Sequence, residues 1–445
     1  MPSEHDRADL SGSNGEPEPA GEVTVSRRNL LKAGAVGGAV AAGIALPVLG
    51  AEQGAAAQQA TPAASPAAAG SALPPDVPPW MKVWGPLPSD YGSRSPFEDG
   101  VLRKPAATIS QSPLADLHGT MTPNSLFFER HHAGVPQIDP SQHRLIVHGL
   151  VDRPMIFTMD DIRRFPSISA IHFHECSGNS GGEYKEETIA PTAQSGFGLV
   201  SQTEWTGVKL TTLLQEVGVQ SSATWMLAEG ADAAGMTRSI PMEKVMDDAI
   251  LAYAMSGEAL RPENGYPVRL VLPGWEGNSN IKWLRRLKFG DQPWETREET
   301  SKYTDLLADG IARQFTFVME AKSLITRPSG GQTIPGAGFW EISGIAWSGR
   351  GKITKVEIST DGGQTWADAT LQEPVLPIAL TRFRFPWTWD GNAARLQSRA
   401  TDETGYVQVP IPDLVAVRGV NSTYHMNGIK SWAVAENGEV TSAFN

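Results

Sequence analysis

The sequence predicts an α+β domain over residues 101–310, followed by an immunoglobulin-like β-sandwich over 311–445. Three observations carry this. Between Val101 and Phe289, short strand-like runs mix with amphipathic stretches, without the regular strand–helix–strand repeat of a doubly wound sheet. After Arg313 the runs Phe315–Met319, Phe339–Ser343, Lys355–Ser359 and Arg395–Ala400 recur at short intervals, parted by turns such as Asp361-Gly-Gly363. Throughout, 45 Gly and 33 Pro in 445 residues favour turns and short strands over long helices.

From the N-terminus, Ser26-Arg27-Arg28-Asn29-Leu30-Leu31-Lys32 precedes a moderately apolar Ala/Gly run ending near Gly50. This reads as a twin-arginine signal peptide over residues 1–51, the run being too short and too rich in small residues for a membrane anchor. The expected location is the periplasm or another extracytoplasmic space, with no anchor left after cleavage. Twin-arginine export carries folded proteins, which suits one that takes up a cofactor before leaving. Residues 52–100 read as an Ala/Pro-rich linker. Further on, Arg144–His148 is a predicted strand and Thr158 a helix cap with acidic residues behind it. Leu210–Glu216 and Met242–Ala249 are predicted helices, and Val268–Leu272 a strand stopped by Pro273-Gly274. A net charge of −12 argues against a nucleic-acid partner and for a basic protein one.

The lone cysteine, Cys176, sits in His172-Phe173-His174-Glu175-Cys176-Ser177-Gly178-Asn179-Ser180-Gly181-Gly182. In an exported protein one cysteine forms no internal disulfide, and a bare thiol is open to oxidation unless buried or metal-bound. A buried inert thiol is one reading. The polar, Gly-rich flank favours a thiolate on a soft metal. On a strand, His172, His174 and Cys176 would share a face, which permits a non-catalytic zinc or copper binding protein as the alternative function. A papain-like nucleophile fares worse, since only His425 lies downstream as a partner.

Five stretches in fixed order resemble the sulfite oxidase family of molybdopterin enzymes: Thr122-Pro-Asn-Ser-Leu-Phe-Phe-Glu-Arg-His-His132, the Cys176 loop, Trp205-Thr-Gly-Val-Lys-Leu210, Gly265-Tyr-Pro-Val-Arg269 and Ser279-Asn-Ile-Lys-Trp-Leu284. The wording of His172–Cys176, Pro273–Asn278 and Thr300–Asp305 is similar to one branch, the sulfane dehydrogenase molybdenum subunits of bacterial sulfur-oxidising systems. The resemblance implies a molybdopterin-binding domain and a dimerisation sandwich, hence a homodimer. It implies that Cys176 is the protein's molybdenum ligand, the other sulfurs coming from the pterin. Phe128, Glu129, Arg130, His131, His132, Asp232, Arg269, Asn280, Ile281 and Lys282 fall at cofactor-contacting positions, and Asn264 stands where a histidine is usual. Tyr303 matches the active-site tyrosine, and Arg418 an arginine that the second domain extends toward substrate; with Arg130 it would form an anion pocket. The implied reaction oxidises sulfite, or sulfane sulfur on a carrier protein. The chain has no haem-attachment Cys-x-x-Cys-His, so electrons are expected to pass to a separate c-type cytochrome.

Overall fold

The computed structural model describes residues 78–444, so the predicted signal and most of the predicted linker lie outside the described residues. The described end of that linker, 78–100, is exposed and carries two short 3-10 turns at Pro79–Met81 and Pro96–Glu98. Among the described residues no helix is long and apolar enough to cross a membrane.

The first domain is built on two five-stranded sheets. One orders Glu258–Ala259, Ile250–Met255, Val200–Lys209 and Ser167–Glu175, with Arg269–Val271 pairing Ile250–Met255. The other orders Met155–Phe157, Leu145–Gly149, Leu284–Gly290, Trp225–Gly230 and Thr237–Pro241. Its central pair, Leu145–Gly149 against Leu284–Gly290, is parallel, while its other pairs are antiparallel. Leu145 and Val147 point inward from their strand and meet Leu210, Leu213 and Leu214 of the helix Leu210–Val217, together with Leu270 and Leu287. The predicted cap is present in full: Thr158 accepts from the Asp161 amide, and Asp161 accepts from the Thr158 amide. A third, three-stranded sheet, Lys104–Ala106, Ile109–Gln111 and Glu129–Arg130, brings the 127–132 stretch to the mouth of the site.

The second domain is a sandwich of antiparallel sheets. Lys322–Arg327, Gly338–Trp347, Thr381–Trp389 and Thr370–Leu371 form one, and Ala367–Asp368, Ile353–Ser359, Ala394–Asp402, Ser431–Val434 and Val440–Ala443 the other. Trp347, Val356, Phe383, Leu396 and Trp432 fill the space between them. That core does not stop at the domain border: Phe173, Phe197 and Val200 of the first domain belong to the same buried cluster. One predicted strand is absent. Phe315–Met319 makes only an isolated bridge, Val318 to Trp275. Phe317 turns its backbone to φ +56°, which breaks the extended run and lets its ring stack on Trp275 at 4.2 Å and Phe315 at 5.2 Å.

Candidate active site

A cleft of about 680 Å3 opens where these loops converge. Every named stretch except Trp205–Leu210 contributes a lining residue. Phe128, Arg130, His131 and His132 follow the 3-10 turn Asn124–Leu126, and Cys176 lies just past the end of the strand Ser167–Glu175. Asp232 comes from the turn after Trp225–Gly230, and Arg269 opens the strand Arg269–Val271 beside Asn264. Asn280, Ile281 and Lys282 line the wall between the 3-10 turn Gly277–Ser279 and the strand Leu284–Gly290. Gly277 must be glycine: a Cβ there would lie 2.7 Å from the Glu175 carbonyl oxygen and 3.2 Å from the Cys176 Cα. Two loops far apart in sequence therefore touch backbone to backbone at the thiol.

The wall carries three cations, Arg130, Arg269 and Lys282, and two carboxylates, Asp232 and Glu263, neither of which pairs with Arg269. Arg269 is buried, donates to the carbonyls of Asn264 (2.9 Å) and Asn280 (3.2 Å), and leaves its Nε without a partner. No carboxylate among the described residues pairs with it, and burial pushes its guanidinium down to about 9. Lys282 gives its three protons to the Arg130 and Glu263 carbonyls and to His131 Nδ1, at 3.1, 3.0 and 2.8 Å. Burial, then the Arg269 charge, drives its ammonium well below the ordinary lysine range. Glu129 does not line the cleft. It stands behind it, accepting from His131 Nε2 at 2.8 Å and pairing with Arg103. The bond from His131 is the main cause that holds its carboxyl below the usual range. A buried guanidinium with no paired carboxylate, beside an ammonium whose protons go to neutral acceptors, fits an anionic ligand.

Beside the thiol, Tyr303 donates its hydroxyl to His132 Nε2 at 2.8 Å. Its backbone is held at φ +49°, a left-handed conformation that aims the ring across the cleft. Burial raises the Tyr303 hydroxyl further above its ordinary value, and burial, with the Arg130 and Lys302 charges, lowers His132 to about 4. A depressed histidine favours the fold in its neutral form, so stability is full above about pH 6.5 and falls as pH drops toward 4. The cofactor-free chain should therefore lose melting temperature across that window, and His132→Gln should flatten the slope. An unchanged slope would show that His132 does not titrate there. Burial also holds the Cys176 thiol above its ordinary value, against the Gly178 backbone bond and the Arg130 charge, which lower it.

Two readings are corrected. Arg418, at the end of the helix Ile411–Arg418, is not on the cleft wall. Its guanidinium lies 3.2 Å from Glu320 and 3.7 Å from Asp305, and all three side chains are largely buried. Arg418→Met is thus expected to cost about 3 kcal/mol of stability by stranding buried carboxylates, with a smaller effect on KM. Chemical denaturation beside initial-rate kinetics checks this, and a large KM increase at unchanged stability would reverse it. The zinc or copper reading of His172, His174 and Cys176 also goes. His172 is turned to the Ile378 carbonyl at 3.3 Å, and His174 Nε2 accepts from Arg269 at 3.2 Å. Among the described residues, no group of three or more His, Cys, Asp or Glu side chains is set to hold a metal ion.

Sequence reasoning missed several wall residues, Phe127, Met236, Glu263, Asn278 and Trp283, and gave His174 another role. His174 had a signal in its spacing to Cys176. It serves instead as a buried acceptor for Arg269, stacked on Phe128 at 5.5 Å and kept neutral by burial.

Comparison with known proteins places this architecture. Residues 132–298 match the oxidoreductase molybdopterin binding domain, and 313–431 the Mo-co oxidoreductase dimerisation domain. The sulfane dehydrogenase SoxCD of Paracoccus pantotrophus has a chain 46% identical, superposing with a TM-score of 0.81 over 83% of this chain and 97% of that one. Mouse mitochondrial sulfite oxidase is 30% identical over 74% of this chain, and tomato NADH nitrate reductase 34% identical over 66%. The chain spans 66% of the length of the former and 37% of the latter. The chain belongs to the sulfite oxidase family of molybdopterin oxidoreductases. Its cofactor is molybdenum-molybdopterin, and the unpaired Arg269, with Lys282 on the same wall, suits the phosphate that this cofactor carries.

Proposed function

We propose that the protein is an exported dehydrogenase of inorganic sulfur, acting on sulfite or on sulfane sulfur held by a carrier protein, and passing electrons to a c-type cytochrome. The observation that carries this reading is a single thiol set at a cleft whose wall holds Arg130, Arg269 and Lys282. When bound, the cofactor supplies a two-electron metal centre with an exchangeable oxygen ligand. For sulfite the balance is one sulfite and one water to one sulfate, two protons and two electrons, the electrons leaving singly.

The chain's own residues have separable tasks in this reading. Cys176 ligates the metal as its thiolate, which overcomes the upward pull of burial on the thiol. Arg269 holds the anionic end of the cofactor and Lys282 adds positive charge from the same wall, with Phe128, His131, Asp232, Asn264, Asn280 and Ile281 completing it. Arg130, at the same mouth and part-exposed, orients an incoming oxyanion. Tyr303 places a hydroxyl beside the reacting centre and keeps its proton, which it shares with His132. The second domain pairs two copies, and the acidic surface attracts a basic cytochrome, so association should slow as salt rises. The twin-arginine segment at Ser26–Lys32 supports export of the loaded protein.

The two substrates are separated by one assay. Molybdenum-loaded protein is given sulfite, or a persulfidated carrier protein, and cytochrome c reduction is followed. The 46% identity to a sulfane dehydrogenase favours the carrier. Turnover that requires it supports the sulfane reading, and rapid turnover of free sulfite alone selects sulfite. Inactivity toward both, in protein shown to hold the cofactor, removes the proposal.

A further inference from the structure

The residue before the cysteine reaches into the second domain. Glu175 is fully buried, and its carboxylate is saturated. Oε1 accepts from Lys322 Nζ at 3.0 Å and Asn179 Nδ2 at 2.9 Å, and Oε2 accepts from the Trp347 indole at 2.6 Å. Lys322 and Trp347 lie on the first two strands of the sandwich, at 1% and 0% exposure, and Lys322 also donates to Ser180 at 2.6 Å. A second-domain segment closes over the same loop. The His425 amide donates to the Ser177 carbonyl at 2.9 Å, and a Cβ on Gly181 would meet the Thr423 carbonyl at 2.4 Å. On the first-domain side the loop is tied to Leu199, through the Cys176 amide at 3.0 Å and Asn179 Oδ1 at 3.1 Å, and to Asn278, whose amide donates to the Ser177 hydroxyl at 3.0 Å.

A buried ion pair is a poor source of stability, because desolvation offsets its attraction, but it admits one geometry. A metal–thiolate bond tolerates shifts of only about 0.2 Å. The charged clamp therefore stands where position matters most, one residue from the thiol. We propose that Glu175, Lys322 and Trp347 form a cross-domain positioning device that sets the Cys176 thiolate for the metal, so the second domain helps to build the metal site besides pairing subunits. This rests on the reading that Cys176 ligates molybdenum.

The test uses the full chain loaded with cofactor, as wild type, Lys322→Met, Trp347→Phe and the double variant Glu175→Gln/Lys322→Met. Molybdenum content, the thiolate-to-metal absorption band, the EPR g-values of the one-electron-reduced metal, kcat and KM are measured on each. Lys322→Met strands a buried carboxylate and should shift the band and g-values, with kcat about 10–100-fold lower and KM little changed. The double variant removes the stranded charge together with the clamp, so its melting temperature should recover while its band and g-values stay shifted. A purely structural clamp would change metal content or melting but leave the spectra of the loaded fraction unmoved. Wild-type spectra and kcat in both Lys322→Met and Trp347→Phe, or wild-type spectra in the double variant, overturn the proposal. Should Lys322→Met not fold, Trp347→Phe, which removes one bond and no charge, decides by the same spectra. A loaded wild type without a thiolate band would instead overturn the Cys176 reading itself.

Discussion

Cys176→Ser is expected to lower turnover by at least about 10^3-fold while the protein remains folded. Sulfur is the soft donor that the metal's electronic structure depends on. Losing several kcal/mol of metal-centred stabilisation, at about 1.4 kcal/mol per tenfold, reaches that size. Folding should survive because the loop is held by groups other than the thiol: Glu175 to Lys322, the Cys176 amide to Leu199, and Ser177 to the His425 amide. The measurement is initial rate per bound molybdenum, with circular dichroism as the folding control. Since this is the chain's one cysteine, the part of the sulfur-to-metal absorption lost on substitution belongs to Cys176 and the part that remains to the pterin sulfurs. Near-normal turnover in loaded, folded Cys176→Ser would remove the residue from the reaction.

Arg269→Met is expected to abolish cofactor retention rather than catalysis by whatever fraction remains loaded. The guanidinium sits over the Trp205 ring at 4.9 Å, has no acidic partner among the described residues, and is depressed by burial to about 9. Two charge-assisted bonds to a phosphate, at about 1.5–3 kcal/mol each, amount to a weakening on the order of 10^2–10^4-fold. Molybdenum by mass spectrometry and released pterin by fluorescence should both fall below about a tenth of wild type on that arithmetic. The linkage has a definite sign. A cation depressed by burial weakens the fold at all pH values below its folded value, and the penalty fades as pH rises through the unfolded range. Binding an anion reverses this, so the gap in melting temperature between loaded and cofactor-free protein should shrink in Arg269→Met. Full retention of molybdenum and pterin would place the phosphate elsewhere.

The extent to which this site was legible in the sequence differs residue by residue. Short contiguous stretches carried most of it, because a loop that lies against a ligand needs particular residues at adjacent positions. Phe128 to His132 and Asn280 to Lys282 are such stretches, and the structure sets all but Glu129 on the cleft wall. Glu129 belongs to the same stretch but stands behind the wall: its carboxylate points at His131 and Arg103, a pairing that spacing does not reveal. Phe315–Met319 alternates like a strand, yet a left-handed Phe317 and an aromatic stack win over the pattern.

By itself the sequence determined the class of the protein, the α+β domain and following sandwich, and the thiol on which the site is centred. These follow from local pattern, from ordered motifs and from the presence of one cysteine. Only the tertiary structure decided which charges face the cleft and which face each other. Arg418 and Arg269 are both buried arginines, and nothing in their flanking residues says that one meets Asp305 and Glu320 while the other meets only neutral groups and the cleft. The same holds for Glu175 and Lys322, which lie 147 positions apart and meet at 3.0 Å. A buried charge takes its role from the partners that the fold brings within a few ångströms, and in a low-dielectric interior that choice outweighs any intrinsic property of the residue.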